Sequence, residues 1–254
     1  RRGALKRIQI YGPPGTFEGR RKGGLVSQLR RREDPEKYRR LECNVRKEFS
    51  NFNKSAKLAE IVGIILGDGG LTNSQLMITL GLKTDWEYAG FVGNLSEEII
   101  GEKPSRYEYD NNVIVFCISG VGLIEKLEGI GLGKGNKIRR QVDIPEWIWE
   151  NTKFQKACVR GLIDTDGGVY FHKHWIKGLR YRNLGLCFTS YSRPLLNSVS
   201  TILNNFGIKH SVLDKRIYIY NLEVVKKYFR IIGTHNAKHE ERLFFHLNNE
   251  TRIS

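Results

Sequence analysis

From Ser55 onward the apolar positions follow two alternating periods. Leu58, Ile61, Val62 and Ile65 recur at helical spacing behind Ser55, a residue that can cap a helix, and the run stops at Gly67-Asp68-Gly69. Leu76, Ile78 and Leu80 then alternate with Gln75, Met77 and Thr79, the period of a strand with one buried face. Thr84-Asp85 opens a helix reaching to about Ile100. Ser105–Tyr109 and Val113–Ser119 flank Asp110-Asn111-Asn112, a hairpin turn. A helix is expected from about Val121 to Ile130, followed by the glycine-rich, basic stretch Gly131–Arg140.

The second half repeats this order. The pattern predicts a helix from about Phe154 to Thr165 and strands at Val169–Trp175 and Tyr181–Thr189. Ser192-Arg193-Pro194 opens a helix to about Phe206, a short hairpin covers Lys209–Tyr220, and a helix runs from about Leu222 to Ile232. The ends rhyme as well, with Asn136-Lys137 before Arg139-Arg140 and Asn236-Ala237-Lys238 before Arg242. Asp143-Ile144-Pro145-Glu146-Trp147-Ile148-Trp149 links the copies. Internal duplication is the main architectural signal, and it predicts an α+β fold built twice.

The two first helices end on matching words, 98 positions apart: Ile61-Val62-Gly63-Ile64-Ile65-Leu66-Gly67-Asp68-Gly69 and Val159-Arg160-Gly161-Leu162-Ile163-Asp164-Thr165-Asp166-Gly167. Gly63 and Gly67 share a helix face without side chains, and Gly161 and Thr165 do the same. Such spacing lets two helices pack backbone to backbone and bring their C-terminal ends together. Each end then carries an Asp, and the Gly after it is free to take the left-handed conformation that stops a helix. An Asp at the negative end of a helix dipole is unfavourable, and two facing each other are worse. A divalent cation relieves both, and Mg²⁺ suits a site with few carboxylates in which DNA phosphate supplies further oxygens. The competing reading is that Asp-Gly simply terminates two structural helices.

Gly-Leu-Ile-Asp-Thr-Asp-Gly closely resembles the signature of the LAGLIDADG homing endonucleases, and Gly-Ile-x-x-Gly-Asp-Gly its looser form. The resemblance covers about residues 55–245. It implies a duplicated αββαββα, pseudo-two-fold fold whose two antiparallel sheets form a DNA-binding saddle, in a monomeric, two-motif chain. It also implies metal held at Asp68 and Asp166, with Gly67 and Thr165 beside them. Mg²⁺ is the expected ion, with Mn²⁺ or Ca²⁺ able to substitute in binding. Asp164, whose counterpart is Leu66, is read as structural or capping. Family sites carry a basic residue near the end of each repeat, which Lys137 and Lys238 match; both also read as phosphate-contacting surface lysines. Polar residues that some members place after the second strand match poorly here, at Leu82-Lys83 and Ser190-Tyr191.

Composition adds the partner. Lys and Arg number 42 against 27 Asp and Glu, a net charge of +15 with a pI near 9.7, as a polyanion binder requires. Residues 1–54 hold 16 Lys and Arg against 6 Asp and Glu, so this fifth of the chain carries +10. Gly12-Pro13-Pro14-Gly15 excludes helix and central strand. Arg20-Arg21-Lys22-Gly23-Gly24 reads as a basic loop, Arg30-Arg31-Arg32 as a second cluster, and Asp34-Pro35 as the start of a helix to about Phe49. The whole is expected to be an extended DNA-contacting arm, or else a solvated tail. The duplicated core would then begin at residue 55, with its first repeat and linker over 55–150 and its second over 151–254.

The expected base- and phosphate-contacting residues of the core are Gln75, Met77, Thr79 and Lys83 in the first repeat. In the second they are Tyr181, Asn183, Thr189, Arg216, Tyr218 and Tyr220. His172 and His174, two apart with no acidic or Cys partner nearby, read as phosphate contacts more than as metal ligands. Cys43, Cys117, Cys158 and Cys187 lack Cys-x-x-Cys spacing and read as reduced thiols of an intracellular protein, in the cytoplasm, the nucleoid or an organelle. No apolar run approaches a membrane span and no signal peptide is visible. The start at Arg1 rather than Met points to missing upstream residues.

The expected function is therefore site-specific, metal-dependent cleavage of both strands of a long duplex DNA target, with short 3′ overhangs implied by the resemblance. An intron origin is expected, since the ends Arg1-Arg2 and Arg252-Ile253-Ser254 lack the splicing residues of an intein. Two alternatives stay open: a maturase that binds its own intron RNA, and a non-catalytic DNA-binding regulator on the same fold.

Overall fold

The computed structural model describes residues 5–6, 15–43, 45–176 and 179–250. Gly12-Pro13-Pro14 and the side chains of His174 and Tyr181 lie outside the described residues. The chain divides into two compact units, 1–47 and 48–254.

The first unit corrects the reading of a basic loop. Arg20–Gly24 lies inside a helix, α1 (Phe17–Glu33), capped by Thr16, whose hydroxyl accepts from the Gly19 amide at 3.1 Å. Glu18 in its first turn and Arg30, Arg31 and Arg32 in its last oppose the helix dipole with the right signs. These terms outweigh the roughly 1 kcal/mol that each of Gly23 and Gly24 costs inside a helix. The helix expected from Pro35 to Phe49 is also shorter, α2 (Pro35–Arg40). Glu42 takes a left-handed φ of 54° and the Cys43 amide closes back on the Tyr38 carbonyl at 2.9 Å, which ends it. Phe49 belongs to the other unit, where its ring fills the space above Gly120.

In the second unit the order αββαββα occurs twice. The first copy comprises α3 (Ala56–Asp68), β1 (Gly69–Leu71), β2 (Gln75–Gly81), α4 (Trp86–Ile100), β3 (Ser105–Tyr109), β4 (Val113–Ser119) and α5 (Val121–Gly129). Two short helices, α6 (Lys137–Arg140) and α7 (Glu146–Trp149), make the link. The second copy comprises α8 (Thr152–Asp166), β5 (Gly167–Ile176), β6 (Leu179–Thr189), α9 (Arg193–Asn205), β7 (Ser211–Leu213), β8 (Arg216–Ile219) and α10 (Leu222–Ile231). A helix that the periodicity does not announce, α11 (Ala237–Glu250), follows.

Each copy folds its strands into one antiparallel sheet, in the orders β1-β2-β4-β3 and β5-β6-β8-β7. Leu76, Ile78 and Leu80 pair with Ile118, Phe116 and Ile114, so one face of the first sheet is apolar and buried. Leu184, Leu186, Phe188, Ile217 and Ile219 do the same in the second. Each such side chain contributes about 1.5–3 kcal/mol by leaving water. The opposite faces carry Gln75, Met77 and Thr79, and Arg216 and Tyr218, as the alternation predicts.

The centre of the core is the pair α3 and α8, packed side by side as the small residues require. A Cβ on Gly63 would overlap the Cys158 carbonyl, one on Gly161 would come within 2.5 Å of the Glu60 carbonyl oxygen, and one on Gly67 would overlap the Thr165 hydroxyl. One charged pair is buried in this interface. Glu60, 2% exposed, accepts from Arg160 Nε at 2.9 Å and Nη2 at 2.5 Å, and lies 2.6 Å from His235 Nδ1. Desolvation raises the Glu60 carboxyl, but the hydrogen bonds from Arg160 and His235 outweigh it and hold the group below its ordinary range.

The glycines that end the two helices are not left-handed. Gly69 has φ −87° and ψ 159°, and Gly167 has φ −107° and ψ −172°, so both helices run straight into a strand. Glycine is needed there for room: a Cβ on Gly69 would come within 2.5 Å of the Ile65 backbone, and one on Gly167 within 2.5 Å of the Ile163 carbonyl oxygen. Among the described residues, no helix is long and apolar enough to cross a membrane, and all four cysteines are free.

Candidate active site

Asp68 and Asp166 are the last residues of α3 and α8, so the helix pair delivers both carboxylates to one place. Asp166 Oδ2 reaches across the interface to within 3.5 Å of where a Gly67 side chain would begin. Burial pushes the Asp68 carboxyl up to about 7, the Asp166 and Asp85 charges adding to it while Lys137 and Lys238 oppose. Asp166 is solvent-accessible, yet desolvation lifts its carboxyl too, with Lys137 opposing. Lys137 is half-buried between them. Desolvation lowers its ammonium pKa against the pull of Asp166 and Asp68.

The two repeats use their lysines differently. Lys137 Nζ donates to the carbonyls of Ile65 (3.3 Å), Leu66 (2.9 Å) and Gly67, placing a cation on the negative end of α3. Lys238 instead forms an ion pair with Asp85, a residue of the first repeat just before α4. The end of α8 is served by Asn236, whose Nδ2 donates to the Asp164 carbonyl at 3.0 Å and to Asp85 Oδ1 at 2.9 Å. Asn136 has no such role; it caps α6. Ala237, inserted between Asn236 and Lys238, is the sequence signal for this divergence.

Asp164 is structural, as its lack of a counterpart implies. It is 1% exposed, accepts from the Thr234 hydroxyl and from the His235 amide at 2.7 Å, and so pins the 234–236 loop under α8. Thr165 turns its hydroxyl back to the Gly161 (2.8 Å) and Leu162 (3.0 Å) carbonyls. Sequence reasoning gave Asp85 only the role of opening a helix. Here it accepts from Lys238, Asn236 and Thr84, which together outweigh its desolvation and hold its carboxyl below the ordinary range. Its contact with Lys238 spans 153 positions and crosses between repeats, so no local pattern could announce it. Asp85→Asn should lower turnover roughly tenfold or more with little change in DNA affinity, by loosening a positioned charge; single-turnover cleavage set beside equilibrium binding checks this.

Other expected contacts are dispersed. Gln75, Met77 and Thr79 line the outer face of the first sheet, and Lys83 is exposed just beyond it. Asn183, Thr189, Arg216, Tyr218 and Tyr220 line the second. Arg20, Arg21, Lys22, Arg30, Arg31 and Arg32 all lie on α1 of the other unit. His172 packs edge-on to Tyr220 at 6.2 Å and belongs to the second sheet. Among the described residues, no three His, Cys, Asp or Glu side chains form a metal cluster.

A family model described as LAGLIDADG-like domain matches residues 153–233. The second repeat is a LAGLIDADG-like domain. A crystal structure of the LAGLIDADG meganuclease I-AabMI bound to uncleaved DNA superposes with a TM-score of 0.51 over 76% of this chain and 90% of that one, at 11% identity. At that identity the likeness establishes the fold alone, a duplicated αββαββα chain with two four-stranded antiparallel sheets. Among curated proteins the chain is 27% identical over 198 residues to a tRNA-splicing ligase RtcB of Methanopyrus kandleri, and 28% identical over 185 residues to a replication factor C small subunit of Methanocaldococcus jannaschii. It spans 19% and 10% of their lengths.

A proton on Asp68 has a thermodynamic consequence. Its folded-state pKa of about 7 lies above the unfolded value, so its contribution to stability is full below the unfolded pKa and is lost as pH rises through about 7. The metal-free protein should therefore melt at a lower temperature at about pH 8 than at about pH 6, and Asp68→Asn should flatten that slope. Thermal unfolding in chelator across the pH range checks it; an unchanged slope in the variant would show that Asp68 is not the group responsible.

Proposed function

We propose that this chain is a site-specific endonuclease that cuts both strands of a long duplex DNA by metal-dependent phosphodiester hydrolysis. The observation that carries the reading is the pair Asp68 and Asp166, held at the abutting ends of α3 and α8 with both carboxyls raised by burial. A fold gains no stability from two acids placed together at the negative ends of two helices. A divalent cation gains a site.

The donor set fits Mg²⁺, which takes one or two carboxylates and leaves its other positions to water and phosphate. Asp68 and Asp166 would hold it, with the backbone oxygens of Gly67 and Thr165 adjacent; Lys137 now occupies the Gly67 carbonyl. Bound there, the ion would supply charge stabilisation for the attacking and leaving oxygens. Mn²⁺ fits the same donors, and Ca²⁺ would support binding. The residues do the rest. Lys137 and Lys238 set two positive charges beside the carboxylates, where they can orient a water or balance charge building on phosphate. The two sheets carry polar and aromatic outer faces suited to a β-ribbon in the major groove.

The test is cleavage of a randomised duplex library by the full chain with and without Mg²⁺. Paired breaks at one enriched sequence, lost in chelator, support the reading. Binding without breaks would overturn it in favour of the regulator or the RNA-binding maturase. The chain matches only 19% and 10% of two proteins with unrelated names, so the likeness is to segments carried inside larger chains; this supports a frame inserted within host coding sequences and does not bear on an intron origin.

Deleting residues 1–47 should leave the duplicated unit folded, since Phe49 and both acids stay. It should weaken DNA binding at all sequences and flatten the salt dependence by roughly 0.9 in log–log slope for each phosphate left unneutralised. Titrations of full-length and shortened chains at several salt concentrations check this. Equal slopes would mean that the basic helix α1 takes no part.

A further inference from the structure

The two sheet faces differ in chemistry more than a duplicated reader requires. On the first sheet Met77 stands opposite Cys117 and Thr79 opposite Val115, with Val113 next on the same face. Among the described residues, no position of β1, β2, β3 or β4 on the face shared with Met77 carries a charge, and the exposed Tyr107 and Tyr109 stand on it; Arg106 and Glu108 of β3 are exposed on the other side, Arg106 lying 4.4 Å over the Trp86 ring. Lys83, exposed beyond the end of β2, is the nearest cation along that strand. The polar head of this face is Gln75, whose Nε2 donates to Ser119 Oγ at 3.2 Å, fixing the amide and leaving its oxygen and one N–H outward.

The second face carries a positioned guanidinium. Arg216 is exposed on β8 and donates from Nη1 to the Tyr218 hydroxyl at 3.2 Å. Tyr218 stacks on Tyr220 at 5.3 Å and meets Tyr170 edge-on at 6.4 Å, a rigid aromatic base under the charge. Asn183 is exposed on the neighbouring strand.

Resting on the endonuclease reading, we propose that the sheets read half-sites of unlike base chemistry. The first takes an A·T-rich half-site, in which Met77, Val113 and Val115 meet thymine methyl groups and Gln75 meets an adenine. The second takes a half-site containing a guanine read by Arg216. The physical basis is the major-groove edge: thymine presents a methyl group, adenine an acceptor–donor pair suited to an amide, and guanine two acceptors suited to an arginine fork. A face without cations lacks the charged fork that holds guanine most strongly, and loses nothing against methyl groups. The DNA target of this chain would thus be compositionally lopsided.

The test is a binding selection with the full chain on a randomised duplex library in Ca²⁺. Enrichment of one T- and A-rich half and one half with a fixed guanine is expected. Arg216→Ala should relax that guanine alone, its preference over other bases falling from roughly ten- to a hundredfold to near one. Arg216→Lys, which keeps charge but not the fork, should lose most of the preference too. Met77→Arg should create a guanine preference in the other half. Two halves of like composition, or an Arg216→Ala effect in the A·T-rich half, would overturn the proposal while leaving the endonuclease reading in place. Failure to enrich any sequence would overturn that reading as well.

Discussion

Asp68→Asn or Asp166→Asn is expected to reduce double-strand cleavage on the order of 10³-fold, as loss of a preorganised charge at a reacting centre does, while leaving DNA affinity within a few fold. The two residues are equivalent by position, each the last of its helix, so both variants should fail alike. Asp164→Asn gives the contrast. Its carboxylate is buried and accepts from Thr234 and His235, so the change should cost about 1–3 kcal/mol of stability, the range for a buried group left unsatisfied. Its turnover should suffer less than that of the other two. Single-turnover cleavage and binding, measured beside thermal unfolding, separate these effects. An inactive Asp164→Asn with an active Asp166→Asn would move the metal site to the wrong acid and sink the present assignment.

The second large effect is on folding. Gly63→Leu and Gly161→Leu should each destabilise the chain by at least the 1–3 kcal/mol typical of overpacking, because the atoms in the way are backbone carbonyls of the facing helix. For a protein of this size about 1 kcal/mol corresponds to a melting shift of roughly 2–4 °C. Differential scanning calorimetry on both variants reads the result. Melting unchanged from wild type would show that the two helices do not meet at these glycines.

How much of this was legible follows from the range of each interaction. The hairpin of Ser105–Tyr109 and Val113–Ser119 was legible to the residue, because its turn carries Asn112 at a left-handed φ of 66° between two alternating runs. The helix pair and its acids were legible because the signature occurs twice in register. The three-residue strand β1 was not, since two of its residues are glycine. Nor was α11, whose Leu243, Phe244 and Phe245 bunch together rather than recur, with only Leu243 buried among them. In the site, Asp68, Asp166 and Lys137 come together as expected. The departure of Lys238 toward Asp85 depends on how two repeats meet in space, which no window along the chain contains.

The Glu60–Arg160 pair makes the two halves into lock and key. By the pseudo-two-fold relation, Glu60 corresponds to Cys158 and Arg160 to Val62. Two copies of the first repeat would bury two carboxylates with no guanidinium to meet them, and two copies of the second would strand two arginines. Removing one partner of a buried pair costs about 3–5 kcal/mol, and a homodimer of first repeats would incur that loss twice; Arg160, 21% exposed and still bonded to the Ile232 carbonyl, would be stranded at a lower cost. The duplicated chain is therefore a committed heterodimer written in one frame. A half transplanted onto a partner of the same fold must bring the complementary charge with it, or the graft will fail at the helix seam before its sheet face is ever tried.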